Sequence, residues 1–527
     1  MTEITLTVKN KYIVVPVNMN SKRKRIFLYD GEKLVFDFDA CVDFDNPGFY
    51  TYVNVERFRG MTLTFRSEPL MDLRFSLVDF IPTAGIYNEE YRPKVHFTSK
   101  IGWINDPNGL NYYNGRYHMF FQHNPADSAW GNMTWGHAIS DDLIHWHEED
   151  SALTPDSLGT MFSGSAITDI NNVSGLKENE NDVMMLFYTA AGGNSALSAG
   201  KPSVQCMAYS TDRGATFKKY EGNPVILHIA GGNRDPKVVW CKEQGCYLLA
   251  LYLDGDTYAL FRSDDLLRFT EQQRLSLPGD GECPDIYPVK VENEPGVQKW
   301  VFMGASDKYL VGDFEKKQGG AFKPSQNVRS YTYGRRTTYA AQSFSGTGER
   351  RVRIAWDVLH APGSVFENQM GIPCELSLVK IRGEYRLRSL PVKEFETLRV
   401  NREVRQVQGG KLVRPLHRKA YDIEITAPKD SPAFNINFFG YDFRVDPVEN
   451  TFSYDDVVMP LSYTGSGVKI RLISDVLGCE IFLDDGLIYS VAGSLADYAI
   501  RFFTISGKDG GDLSGTLVTV NTLKGIW

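Results

Sequence analysis

The sequence predicts an all-β protein, and three observations carry that expectation. Apolar and polar residues alternate at a period of two through much of the chain, the mark of half-buried strands. A turn built from Ser, Asp and an aromatic recurs through the middle, several tens of residues apart. Aromatics at 13% and 47 glycines favour strands joined by tight turns. At 527 residues the chain is too long for one ordinary domain, and its length suggests about three.

Region 1–90 reads as a small N-terminal antiparallel β-domain. Residues 33–44 put apolar and acidic groups on opposite faces, and 50–55 and 61–66 repeat the pattern. The basic run Lys22-Arg23-Lys24-Arg25 lies between strand-like stretches and reads as a solvated hairpin loop. From 91 to 388 the rhythm is short strands and turns. Stretches 138–146, 208–217 and 260–269 share one plan: a strand enters Ser and Asp, a turn follows, then an aromatic. The Ser and Asp side chains can bond the turn's own amides while the ring packs beneath. Such recurrence is the signature of propeller blades. Within an expected linker, 389–404, residues 390–399 turn helical, with apolar positions three and four apart. Region 405–527 alternates again, with Asp484-Asp485-Gly486 marking a hairpin, and reads as a C-terminal β-sandwich.

Composition narrows the partners. A net charge of -8 argues against nucleic acid or an anionic membrane, since both would be repelled. No stretch approaches the roughly 20 apolar residues of a membrane span. The first residues hold neither a basic segment nor an apolar run, so no signal peptide is visible and a cytoplasmic location is expected, unless a leader was removed. The seven cysteines are scattered without metal-ligand spacing and read as reduced thiols, mostly in the core. His145 and His147 alternate and share a strand face, but a surface strand end is the better reading, and no metal is expected. Exposed sheet edges on the flanking domains could pair into a homo-oligomer.

The chemistry gathers around Trp103-Ile104-Asn105-Asp106-Pro107-Asn108-Gly109. A Pro/Asn/Gly turn should end a strand there and leave the Asp106 carboxylate at its tip. Two further acids sit in similar punctuation, Asp235 in Arg234-Asp235-Pro236 and Glu282 in Glu282-Cys283-Pro284-Asp285. Retaining glycosidases use two carboxyl groups about 5–5.5 Å apart, one attacking the anomeric carbon and one protonating the leaving oxygen. Asp106, among amide and hydroxyl donors, suits the ionised nucleophile. Glu282, beside Cys283 and Pro284, suits the general acid. Asp235, next to Arg234, reads as a permanently ionised acceptor for sugar hydroxyls. Asn105, Gln122, Trp130, Trp135 and Phe162 lie in the same turn-rich region, where planar amides and aromatic floors could hold a sugar. Core packing is the better reading for Trp135 and Trp146.

At these residues the sequence resembles glycoside hydrolase family 32, the invertases, levanases and inulinases. The resemblance runs from Trp103 to Gly109, from Phe121 to Pro125, through Trp130-Gly131-Asn132-Met133-Thr134-Trp135-Gly136-His137 and Phe162-Ser163-Gly164-Ser165, and on to the Asp235 and Glu282 motifs. It implies a five-bladed β-propeller with a β-sandwich behind it, acting without a cofactor on β-linked fructofuranosyl units. By position, Asp106 is similar to the family's nucleophile, Asp235 to its transition-state stabiliser and Glu282 to its acid/base. Asn105, Gln122, Trp130, Phe162, Ser163 and Arg234 match residues lining the terminal-fructose pocket. Two stretches depart from the family pattern: Arg336-Thr337-Thr338-Tyr339-Ala340, and Ala355-Trp356-Asp357-Val358-Leu359-His360. Both are expected at the rim, where they bear on linkage and aglycone preference. The N-terminal β-domain is extra to the minimal family architecture. The expectation is a retaining exo-β-fructosidase acting on sucrose, fructo-oligosaccharides or fructans. The alternatives are a fructosyltransferase or difructose-anhydride-processing enzyme with the same pocket, and a catalytically inactive carbohydrate-binding protein.

Overall fold

Alternation at period two builds sheets throughout, in a computed structural model that describes residues 3–334, 337–461 and 467–527. The N-terminal domain is a pair of small sheets. One orders the strands Ile4–Thr7, Thr62–Glu68, Lys24–Asp30 and Lys33–Ala40; the other orders Phe49–Asn54, Tyr12–Val17 and Ser76–Val78. Val15, Ile26, Leu28, Phe38, Val53 and Phe65 fill the space between them. The basic run is a solvated loop only in its first half: Lys22 and Arg23 are exposed and lie outside any strand. Lys24 and Arg25 open a strand, Lys24 Nζ donates to the Val42 carbonyl (2.6 Å), and Arg25 makes two bonds to Asp39 (2.9 and 2.8 Å). Asp39 of the neighbouring strand draws Arg25 onto the sheet, and a backbone carbonyl holds Lys24 there.

Five sheets then follow in chain order, each an antiparallel meander, and form the blades of a propeller. Their first strands are Gly102–Tyr113, Thr160–Asp169, Arg234–Cys241, Asp285–Lys290 and Thr338–Ser343. Each packs against the first strand of the next blade, and the fifth against the first, so they line a closed ring. The short strand Phe366–Glu367 of the last blade pairs in parallel with Gly102 and Trp103 and seals it. The recurrent turns behave as the Ser/Asp plan predicts. Asp142 accepts from the Ile144 and His145 amides (2.9 and 2.8 Å), Asp212 from Thr216 (2.9 Å), and Asp265 from Leu267 and Arg268 (3.0 and 2.8 Å). His145 is tied to Asp142 by its Nδ1 as well (2.7 Å), which commits it to the turn.

The last blade strand ends at Pro391 and the first sandwich strand begins at Arg399, so only a 3-10 helix, Lys393–Leu398, joins them. Two six-stranded sheets form the sandwich, enclosing Ile423, Phe438, Phe443, Ile470, Ile481 and Phe503. Its outer face packs on the ring: Ile473, Val476 and Phe482 share one core with Val95, Ile354 and Met370. In that apolar interface His96 bonds Asp475 through Nδ1 (2.9 Å) and Glu480 through Nε2 (3.1 Å). Among the described residues no helix is long and apolar enough to cross a membrane.

Candidate active site

The stretch around Asp106 does not end a strand. It runs inside Gly102–Tyr113, whose pairing with Arg116–Asn124 slips between Ile104 and Pro107. Pro107 has no N–H for the ladder, so the chain absorbs it in a bulge, and a bulge re-aims the side chains beside it. Gly109, at φ +53°, lets the same strand press on the core: a Cβ there would lie 2.7 Å from the Phe120 ring. The device recurs around the ring. Register slips between Phe162 and Gly164, between Arg234 and Lys237, and between Tyr339 and Gln342. Asp235 takes φ +66°, and Glu282 (+59°) and Cys283 (+33°) sit just before the fourth blade's first strand. Such non-glycine backbones cost on the order of 1–3 kcal/mol each and gather where side-chain aim matters.

These distortions bring the three acids together. Asp106 Oδ2 accepts from Ser163 Oγ (2.5 Å) and Oδ1 from Asn105 Nδ2 (3.1 Å). Asn105 is itself oriented by the Trp103 indole N–H (2.9 Å). Asp235 Oδ2 accepts from the Cys283 amide (3.0 Å). The Cys283 Sγ lies 3.4 Å from Asp106 Oδ2 and 3.5 Å from Asp235 Oδ2, so carboxylates of the first and third blades meet on one thiol. Glu282 Oε1 accepts from Arg234 Nη2 (2.8 Å) and Oε2 from the Tyr339 hydroxyl (2.9 Å). Arg234 also stands 3.7 Å from Asp235 and lies over the Tyr252 ring, 4.8 Å from its centroid.

Burial changes the protonation of two of these acids, Asp235 and Asp106. Burial pushes Asp235 up to about 7; Arg234 opposes the rise and the nearby Asp106 adds to it. Burial also raises Asp106, against the bonds from Ser163, Asn105 and Cys283 that favour its charge. The Cys283 thiol is driven well up by burial and by both carboxylates. Asp235 is therefore not the permanently ionised group its arginine neighbour suggested. Arg234 divides its charge between Asp235 and Glu282, while desolvation acts on Asp235 in full.

Of the expected binding residues, Ser163 and Asn105 serve Asp106 directly. Trp130 is 48% exposed and meets Phe162 edge-on, with centroids 6.0 Å apart. Gln122 lies on the strand that pairs across the Asp106 bulge; it is buried, and its Nε2 has no hydrogen-bond partner among the described residues. Trp135 is fully buried and Trp146 packs on the core, as expected. Sequence reasoning missed three groups. Cys283 was counted with the core thiols, yet it is half-buried between two acids, and its place beside Glu282 was the available signal. Tyr339 and Trp356 belong to the stretches assigned to the rim. Tyr339 instead touches Glu282, and Trp356 stands 6.3 Å from the Tyr339 ring and 6.1 Å from Trp103. Arg336 lies outside the described residues. Among the described residues, His96, Asp357 and Glu480 form another cluster of metal-ligand types, but it sits at the sandwich interface and both imidazole nitrogens are already bonded to acids.

Comparison with known proteins agrees with the geometry. The model of the glycosyl hydrolases family 32 N-terminal domain matches residues 96–391, the whole blade ring. The chain belongs to glycoside hydrolase family 32. It is 32% identical over 505 residues to a levanase of Bacillus subtilis, covering 84% of this chain and 72% of that protein. To an invertase of Schizosaccharomyces pombe it is 33% identical over 345 residues, covering 61% of this chain and 57% of that one. The exo-inulinase structure from Aspergillus awamori superposes with a TM-score of 0.74 at 23% identity, over 84% of this chain and 100% of that one, and so shares the fold. This family 32 protein is thus a glycoside hydrolase of the β-fructosidase type. Its N-terminal β-domain lies outside the family match.

Proposed function

We propose that this family 32 enzyme is a retaining exo-β-fructosidase that removes terminal fructosyl units from sucrose, fructo-oligosaccharides or fructans. The observation that carries the reading is the meeting of Asp106, Asp235 and Glu282 through Cys283 and Arg234. Asp106 attacks the anomeric carbon as the glycosidic C–O bond breaks, and Glu282 gives its proton to the departing oxygen. Glu282 then takes a proton from water, whose oxygen attacks the same carbon and releases Asp106. Asp235 accepts from sugar hydroxyls, and those bonds strengthen as positive charge grows on the ring. Donors arriving with the sugar favour the ionised form of Asp235.

The test is a panel of sucrose, kestose, levanbiose, inulin and levan with products followed over time. Fructose should be the first and dominant product. Products longer than the substrate would move the reading to transfer, and binding without turnover on every sugar would sink it. Tyr339→Phe removes one hydrogen bond from Glu282 and should lower kcat/KM on sucrose about tenfold. An unchanged kcat/KM would return Tyr339 to the rim.

A further inference from the structure

The N-terminal domain grips the wall of the candidate active site. Arg23 Nη2 bonds both oxygens of the buried Asp127 (2.9 and 3.0 Å), and its Nη1 donates to the carbonyl of Trp130 (3.0 Å). Asn132 spends both ends of its amide on Asp39, accepting from the backbone N–H (2.8 Å) and donating to the carbonyl (2.7 Å). Thr51 Oγ1 donates to the carbonyl of Ala126 (2.7 Å), whose side chain packs inside the N-terminal core. The loop 124–132 is thereby fastened on both sides of Trp130. A second loop is held in the same way: buried Asp37 accepts from the amides of Ala196 and Leu197 (2.8 and 3.0 Å). That loop leaves the end of Val183–Ala191, where Thr189 pairs with Phe162 and accepts from the Asp235 amide (2.9 Å).

A half-exposed indole on an irregular loop has no ladder to hold it, and the freedom it loses on meeting a sugar weakens binding. A charge-assisted pair in which one guanidinium nitrogen meets both oxygens of a buried carboxylate, while the other holds the Trp130 carbonyl, fixes the loop before the sugar arrives. We propose that the N-terminal β-domain is a working part of the substrate pocket, with Arg23 the positioning residue that sets Trp130 against the bound sugar. The inference rests on the reading of Trp130 as a wall of a fructosidase pocket.

The experiment is a double-variant cycle in the full chain, with KM and kcat for sucrose and kestose. Arg23→Ala should raise KM about tenfold while kcat stays within about twofold. In a Trp130→Ala background the same change should leave KM where Trp130→Ala alone puts it, because Arg23 acts through that indole. Arg23 and Trp130 effects that multiply, or an unchanged KM in Arg23→Ala, would overturn the proposal. Should Arg23→Ala fail to fold, Asn132→Ala removes a neutral fastening of the same loop and enters the same cycle. If the wild-type enzyme turned over no fructoside, the functional reading would fail on its own. The clamp would then be judged by the Trp130 fluorescence, taken as the difference from Trp130→Phe: greater acrylamide quenching in Arg23→Ala sustains it, and equal quenching ends it.

Discussion

Asp106→Asn should lower kcat on sucrose by about four orders of magnitude with the fold intact, and Glu282→Ala by about three. The two losses should differ in kind. A fructoside whose leaving group departs without a proton should restore the first step in Glu282→Ala, seen as a burst of leaving group followed by slow turnover because Glu282 also activates the water, and should give no burst in Asp106→Asn. Wild-type-like turnover in either variant would refute the assignment. Asp106→Asn has a second consequence. The Asp106 charge is among the causes that hold Asp235 near 7, so its removal should move the Asp235 titration downwards. A carboxyl-carbon NMR titration of the two proteins would show the shift, and a rise would contradict the proximity of the acids.

His96→Gln should cost about 3–5 kcal/mol of stability at neutral pH, since it leaves buried acids at the propeller–sandwich interface without their charged partner. Burial alone would lower the His96 pKa. Asp475 and Glu480 more than reverse this and raise it from 6.5 to about 10. The sign follows from linkage. With the folded value above the unfolded one, the contribution is fully present below about 6.5 and is lost as pH climbs towards about 10. Urea midpoints for wild type and His96→Gln should therefore differ most near pH 6 and converge towards pH 10. A gap that stays constant over that window would show that the imidazole is not a charged strut.

Much of this was open to reading because local chemistry wrote it into short stretches. The Ser/Asp turns are satisfied by their own amides, so three copies were visible without knowing what they joined. The three acids were visible for a related reason, as each sits in proline-punctuated text that the ladder can accommodate only as an irregularity. What kind of irregularity was not legible. Asp106-Pro107-Asn108-Gly109 has the composition of a turn, and it lies inside a strand because Arg116–Asn124 pairs with both sides of the bulge. Local propensity yielded to that partner, which is separated from the end of the strand by only two residues.

The rest came from long-range neighbours. Cys283 and Tyr339 act at the site because blades far apart in the chain face one axis. Arg23 looked like part of a solvated run because its partner, Asp127, is about a hundred residues away and buried. Taken by itself, the sequence determined that the chain would be sheets, that it would form blades, and which proline-marked stretches would carry the three acids, since alternation, turn composition and carboxyl groups are all local properties. Only the tertiary structure decided which of those acids burial pushes up and what fastens the loop around Trp130, because burial and charge proximity exist only once distant strands have closed the ring.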